Sequence, residues 1–182
     1  EVQSGFGRTG KFFAVEHFNI VPDILVSAKG IASGLPLSML ATRKELMNKW
    51  TPGSHGGTFG GNVIACAAAV ATIRAMKEEN MNANATARGE QLQSGLKKLQ
   101  DEFTSIGDVR GKGLMIATEF TKNGEPDTDA CKAVVKAAFD RGLMLLTCGT
   151  YDNVVRWIPA LIVTKEQIDE AVKIFAASLD AV

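Results

Sequence analysis

The chain has 182 residues, enough for one large or two small domains, and 46% of them are hydrophobic against 22% charged, so it can bury a substantial core. Its 20 basic and 20 acidic residues cancel to a formal net charge of zero, which excludes the basic excess of a nucleic-acid binder and the acidic excess of a charged tail. Cys66, Cys131 and Cys148 show neither zinc spacing nor a C-x-x-C pair and read as reduced core residues of a cytoplasmic protein; no apolar run is long enough for a membrane span.

Ser4 to Gly10 reads as a glycine-punctuated loop, and Lys11 to Phe18 as a short helical turn in which His17, beside phenylalanines, is structural. A turn at Val21-Pro22-Asp23 leads into Ile24–Ala28, a branched, uncharged run that reads as a buried strand. Lys29 stands where this strand ends and a turn with Gly30 and Gly34 begins, glycines that let a backbone bend sharply or approach a ligand. A poorly solvated ammonium has a lowered pKa, and the neutral amine is a nucleophile able to form a Schiff base. The stretch by itself equally fits a lysine whose stem lies on apolar surface with its amine in water.

Pro36–Ala41 reads as a second strand, hairpinned with the first, and Arg43–Trp50 as a short helix with Leu46 and Met47 inward. Pro52–Asn62 holds five glycines in eleven residues and runs into a helix over Val63–Glu79. Such a loop before a helix N-terminus suits a phosphate, or is a flexible connector. The helix is apolar on all sides through Val70, which predicts burial of its first half. A second helix, Met81–Phe103, places Leu92, Leu96, Leu99 and Phe103 on one stripe and is weakened by Gly89 and Gly95.

From Ile106 the elements shorten. A turn and strand over Val109–Phe120, a turn at Asn123-Gly124, and a helix over Asp129–Arg141 with Val134, Val135, Ala138 and Phe139 inward come first. Strands at Leu143–Thr147 and Val154–Pro159 follow, then a helix opened by Thr164 and Gln167 as a capping box. This order predicts a small α+β domain.

Five segments, in this order, carry a resemblance: E-V-Q-S-G-F-G-R-T-G from Glu1, A-V-E-H-F-N-I-V-P-D from Ala14, S-A-K-G-I-A-S-G-L-P-L-S from Ser27, G-G-T-F-G-G-N from Gly56 and V-R-W-I-P-A-L from Val155. The chain resembles the class III aminotransferases, pyridoxal 5'-phosphate enzymes of fold type I, and among them the 4-aminobutyrate and related ω-aminotransferases. The resemblance implies an α/β fold in two parts: residues 1–80 as the C-terminal part of the cofactor-binding large domain, and 81–182 as a small α+β C-terminal domain. It implies that Lys29 holds the cofactor as an internal aldimine and shuttles the proton. Gln3 matches a glutamine near the cofactor's phenolic oxygen, and Val2 a residue packed on its ring. Thr58 matches a threonine that binds phosphate from across a homodimer interface.

Arg156 matches an arginine that clamps a substrate carboxylate, chemistry for which a planar guanidinium fork is suited; read alone, it also fits a strand arginine in a salt bridge. The family shows two prolines after this arginine, where this chain has Pro159-Ala160. The family's pyridinium-binding aspartate immediately precedes the position of Glu1, so the chain reads as a C-terminal piece of a longer enzyme. The implied reaction is transamination between an amino donor and a keto acid such as 2-oxoglutarate. The alternatives are an inactive fragment, or an aminomutase or racemase of the same family. The implied partners are small molecules and a second copy of the chain, with no nucleic acid, membrane or metal.

Overall fold

The structure, a computed structural model, describes residues 1–181. These divide into two compact units, Glu1–Asn82 and Ala83–Val182, the final residue lying outside the description.

The first unit starts with an irregular but internally bonded loop, then a 3-10 turn at Ala14–Phe18. Strands β1 (Ile24–Ser27) and β2 (Met39–Thr42) form an antiparallel hairpin, with Ile24 opposite Thr42 and Ser27 opposite Met39. A second 3-10 turn, Lys29–Ala32, follows β1 directly. The single-turn helix α1 (Lys44–Met47) leaves Met47 exposed, and the long helix α2 (Val63–Glu78) closes the unit. The core is small: Phe6, Ile31, Ala32, Ala69 and Met76, with Phe12, Phe13, Leu37 and Met39 packed around it.

Expectations of burial fail here at Met47 and Cys66, both exposed, and over two longer stretches. Ile24 and Val26 are exposed, because β1 pairs only with β2 and the unit covers one side of the hairpin. The start of α2 is exposed too, at Val63, Ile64 and Val70, since within the unit only the face bearing Ala65, Ala69 and Met76 meets the core.

The second unit is an antiparallel sheet under three helices. Helix α3 (Met81–Glu102), which begins at the unit boundary, buries Ala85, Gly89, Leu92, Leu96 and Leu99 at alternating spacings of four and three. Strands β3 (Ile106–Lys112) and β4 (Met115–Lys122) replace the single expected strand. Gly113, at φ 54, makes the tight turn between them. The two-residue β5 (Glu125–Pro126) pairs with the end of β4. Helix α4 (Thr128–Asp140) is capped by Asp127, whose carboxylate accepts from the Ala130 amide at 3.0 Å. It buries Cys131, Val134 and Ala138 and leaves Phe139 exposed, contrary to expectation.

Strands β6 (Leu146–Cys148) and β7 (Val154–Trp157) complete the sheet in the order β3-β4-β7-β6. Helix α5 (Lys165–Leu179) begins with the expected capping box: Gln167 N–H donates to Thr164 Oγ1 at 3.2 Å, and Thr164 N–H to Gln167 Oε1 at 3.0 Å. Ile116, Thr118 and Phe120 alternate inward along β4. Trp157 stacks edge-on with Phe175 at 4.9 Å and donates its indole N–H to Thr118 Oγ1 at 3.0 Å, so a buried polar pair is satisfied.

Candidate active site

The Lys29 turn follows from a conflict between a surface strand and a buried turn. β1 runs half exposed as far as Ser27, which is fully buried, while Ile31 and Ala32 must reach the core beside Phe6 and Ala69. The chain therefore bends inward within two residues. Ala28 is extended, and Lys29 takes the left-handed conformation at φ 51. That costs a non-glycine residue about 1–3 kcal/mol. Burial of Ile31 alone offsets it, at roughly 1.5–3 kcal/mol. The turn closes with Ile31 N–H on the Ala28 carbonyl at 3.3 Å and Ser33 N–H on the Gly30 carbonyl at 3.4 Å. Lys29 itself is exposed, contrary to the expectation of a poorly solvated ammonium, because no described element of the first unit covers this end of the turn.

The glycines play other parts than expected. Lys29 and Ser33, not Gly30, take the positive φ angles, joined by Gly34 at φ 111. Gly30 sits close to Phe6: a Cβ added there would lie 3.3 Å from the Phe6 Cβ, so the neighbour would have to give by a few tenths of an ångström.

The loop carrying Val2 and Gln3 lies against this turn. Its organiser is Glu1. The Glu1 carboxylate accepts from Ser4 Oγ at 2.8 Å, from Ala14 N–H at 3.0 Å and from Val15 N–H at 2.9 Å. Partial burial pushes its pKa up, but the Ala14 amide, the Ser4 hydroxyl and the Val15 amide outweigh burial and hold it below the ordinary glutamate value. The Glu1 carbonyl accepts from Gly5 N–H at 3.2 Å and from Ser27 Oγ at 3.3 Å. Residue 1 thus touches the strand end just before Lys29, and Phe6 lies beside Gly30 just after it. Val2 and Gln3, both exposed, lie on the loop between those anchors. His17 is structural as expected, its Nε2 lying 3.0 Å from the Thr9 carbonyl.

Thr58 sits in the exposed loop ahead of α2. The amides of Ile64 and Ala65 are satisfied by Asn62 Oδ1, each at 3.1 Å, so an Asn cap occupies two of the helix-terminal donors that the sequence offers to an anion. Gly60 and Asn62 amides bond within the loop, to Gly57 and Phe59 carbonyls.

Arg156 stands in the second unit, half buried on β7. Across the sheet it is in register with Ala117 on β4 and Leu146 on β6, and Ala117 in turn with Arg110 on β3. Arg110 is held by Asp108, at 2.8 Å, and by Glu119, and these hydrogen bonds raise its pKa. Arg156 borders a cavity of about 700 Å³ whose other walls, including Leu146, Trp157, Pro159 and Ile162, are mostly apolar. A guanidinium at the edge of apolar walls suits the carboxylate of a small organic acid.

The donor set of the first unit fits a phosphorylated pyridine aldehyde. It offers the Lys29 amine on a hydrogen-bonded turn, the exposed Gln3 carboxamide and Val2 side chain on the loop anchored to that turn, and the Thr58 hydroxyl in a separate glycine loop. Sequence reasoning singled out all four of these residues. It missed Glu1, Phe6 and Ser27, which organise the lysine turn; a polar Ser27 closing an apolar strand was the one available signal.

The profile of the class-III aminotransferases matches residues 1–179. A 4-aminobutyrate aminotransferase of Mycobacterium leprae is 45% identical over 98% of this chain and 41% of its own length. A 5-aminovalerate aminotransferase of Pseudomonas aeruginosa is 41% identical over 99% of this chain and 43% of its own. An alanine/serine racemase of Pyrococcus horikoshii is 44% identical over 98% and 38%. Among solved structures, a Bacillus anthracis aminotransferase superposes with a TM-score of 0.93 at 32% identity, covering 100% of this chain and 44% of that one. The chain thus spans about two-fifths of the length of the curated relatives it matches.

Proposed function

The chain belongs to the class-III aminotransferase family, and from that premise we propose that it carries the lysine-bearing part of a pyridoxal-phosphate-dependent ω-aminotransferase. The observation that carries this reading is Lys29, a non-glycine residue at φ 51 in a closed turn on which the loop carrying Val2 and Gln3 is anchored through Glu1 and Ser27. When bound, the cofactor supplies a reactive aldehyde and an electron-withdrawing ring that makes a neighbouring C–H acidic. Lys29 Nζ is the nucleophile that anchors it and, once displaced by an amino donor, the base that moves the substrate proton. Gln3 would hold the ring near its phenolic oxygen, and Val2 would pack on the ring. Thr58 binds phosphate, supplied to the partner copy of a homodimer. Residues 1–80 form the C-terminal part of the cofactor domain and 81–182 the small domain.

The amino donor is a 4-aminobutyrate-like ω-amino acid, on the strength of the Mycobacterium leprae and Pseudomonas aeruginosa relatives. The acceptor is a keto acid such as 2-oxoglutarate, with Arg156 pairing to its carboxylate. The 44% identity to a racemase favours a second reading, in which the same lysine inverts an amino acid without a keto acid. Two measurements test these readings on the cofactor-loaded full-length protein. Borohydride reduction and peptide mapping should place the cofactor on Lys29; a label on another lysine overturns the assignment. Turnover of 4-aminobutyrate or 5-aminovalerate should require a keto acid. Racemisation of alanine or serine without one would replace transamination by the second reading.

A further inference from the structure

The turn bearing Lys29 is gripped on both sides by one loop. On the strand side, the fully buried Ser27 donates its hydroxyl to the Glu1 carbonyl at 3.3 Å. On the other side, Gly30 lies so close to Phe6 that an added Cβ would stand 3.3 Å from the Phe6 Cβ, tighter than most van der Waals contacts. Phe6 is poorly placed to yield. It is 4% exposed and packs its ring on Phe12 and Phe13, with centroids 5.0 and 5.8 Å away. Its backbone is left-handed at φ 54, and the preceding Gly5 admits no side chain, since a Cβ there would meet the Glu1 carbonyl oxygen at 2.7 Å. The far end of the loop is locked by the Glu1 carboxylate on the Ala14 and Val15 amides. Lys29, between the two grips, keeps a backbone conformation that persists only where the surroundings over-determine it.

We propose that Phe6 is a positioning residue for Lys29: anchored through its ring on Phe12 and Phe13 and seated beside Gly30, it holds the lysine backbone left-handed and so sets where the amine emerges from the turn. The inference rests on the assignment of Lys29 as the cofactor-bearing lysine. A Phe6 that served only as core would change stability when truncated and leave the chemistry of Lys29 alone.

The test uses the full-length, cofactor-loaded protein and four variants: Phe6→Ala, Phe6→Leu, Gly30→Ala, and the double variant Phe6→Ala with Gly30→Ala. Two readouts apply: peptide mapping after borohydride reduction, and the pH midpoint of the cofactor's visible absorbance, which reports the proton on the Lys29 nitrogen. The expected result is a label on Lys29 throughout. Phe6→Ala and Gly30→Ala should each move the midpoint by about half a pH unit, a roughly threefold change in protonation. Phe6→Leu, which keeps an apolar side chain of similar reach, should stay near the parent value. The double variant should shift by less than the sum, because a loop without the Phe6 ring gives way to the added Cβ. No label on Lys29 in the parent overturns the cofactor assignment itself. A label on Lys29 with midpoints unchanged in Gly30→Ala overturns only the positioning role, and Gly30→Ala carries that decision where Phe6→Ala does not fold.

Discussion

At the scale of single residues, backbone strain and charge sit where the first unit is most tightly built. Glu1 illustrates how a surface carboxylate becomes structural by accepting two backbone amides and a hydroxyl. Its folded pKa lies below the ordinary value of 4.5, so it stabilises the fold above that pH, and the stabilisation fades as pH falls through the folded value. Glu1→Gln is therefore expected to lower thermal stability at neutral pH, with parent and variant converging in acid. Melting curves from pH 7 down to pH 3 check this, and parallel curves at all pH values would contradict it. Cys131 makes the opposite case. Burial first, then the neighbouring Cys148, Asp152 and Asp127, push its thiol up to about 12. A thiol-specific reagent should reach Cys131 only on unfolding, and fast native labelling of Cys131 would refute its burial.

At the scale of elements, the two glycines of α3 show why propensity misleads when read without a neighbour. Gly89 and Gly95 count against a helix by roughly 1 kcal/mol each relative to alanine. Yet α3 runs unbroken, because the glycines admit other elements. A Cβ at Gly89 would lie 2.2 Å from the Gly113 carbonyl oxygen, against rigid backbone of the β3–β4 turn. At Gly95 it would lie 3.0 Å from Val172 Cγ2, a side chain able to shift. Gly89→Ala should therefore destabilise the second unit by about 1–3 kcal/mol or more, despite its better propensity. Gly95→Ala should cost clearly less. Denaturant unfolding of both variants decides the order, and equal or reversed effects would show that the backbone contact at Gly113 does not control the site. The capping box of α5 gives a milder case, with Thr164→Ala expected to cost about 1 kcal/mol.

At the scale of the whole molecule, the first unit leaves much apolar surface on one helix and the loop before it. Phe59, Val63, Ile64 and Val70 are 50% or more exposed. Apolar surface of this kind marks contact with other protein, either the further segments carried by relatives of more than twice this length or a second copy in a two-fold assembly. The proposed homodimer, with residues 56–62 at the interface, therefore makes a definite demand on the full-length protein. Light scattering after size exclusion should report a dimer or larger at micromolar concentration. Val63→Asp combined with Ile64→Asp should shift it towards monomer with the second unit still folded. A monodisperse parent monomer would eliminate the dimer.

The sequence by itself determined what depends on neighbours along the chain. The cap at Thr164, the α3 stripe of Leu92, Leu96 and Leu99, and the family segments around Lys29 are all local, and local chemistry survives in a linear reading. Tertiary structure alone decided what depends on residues far apart. Burial was misjudged for Ile24, Val63 and Phe139 because an apolar side chain is buried only when another element covers it. The single strand expected over Val109–Phe120 became a hairpin once pairing partners existed on both sides of β4. At the site, the sequence pointed to Lys29 and to glycines on either side of a turn. Which residue takes the strained φ, and that Phe6 and Glu1 secure it, arises from contacts spanning 24 to 26 positions, between Gly30 and Phe6 and between Ser27 and Glu1, which no local pattern encodes.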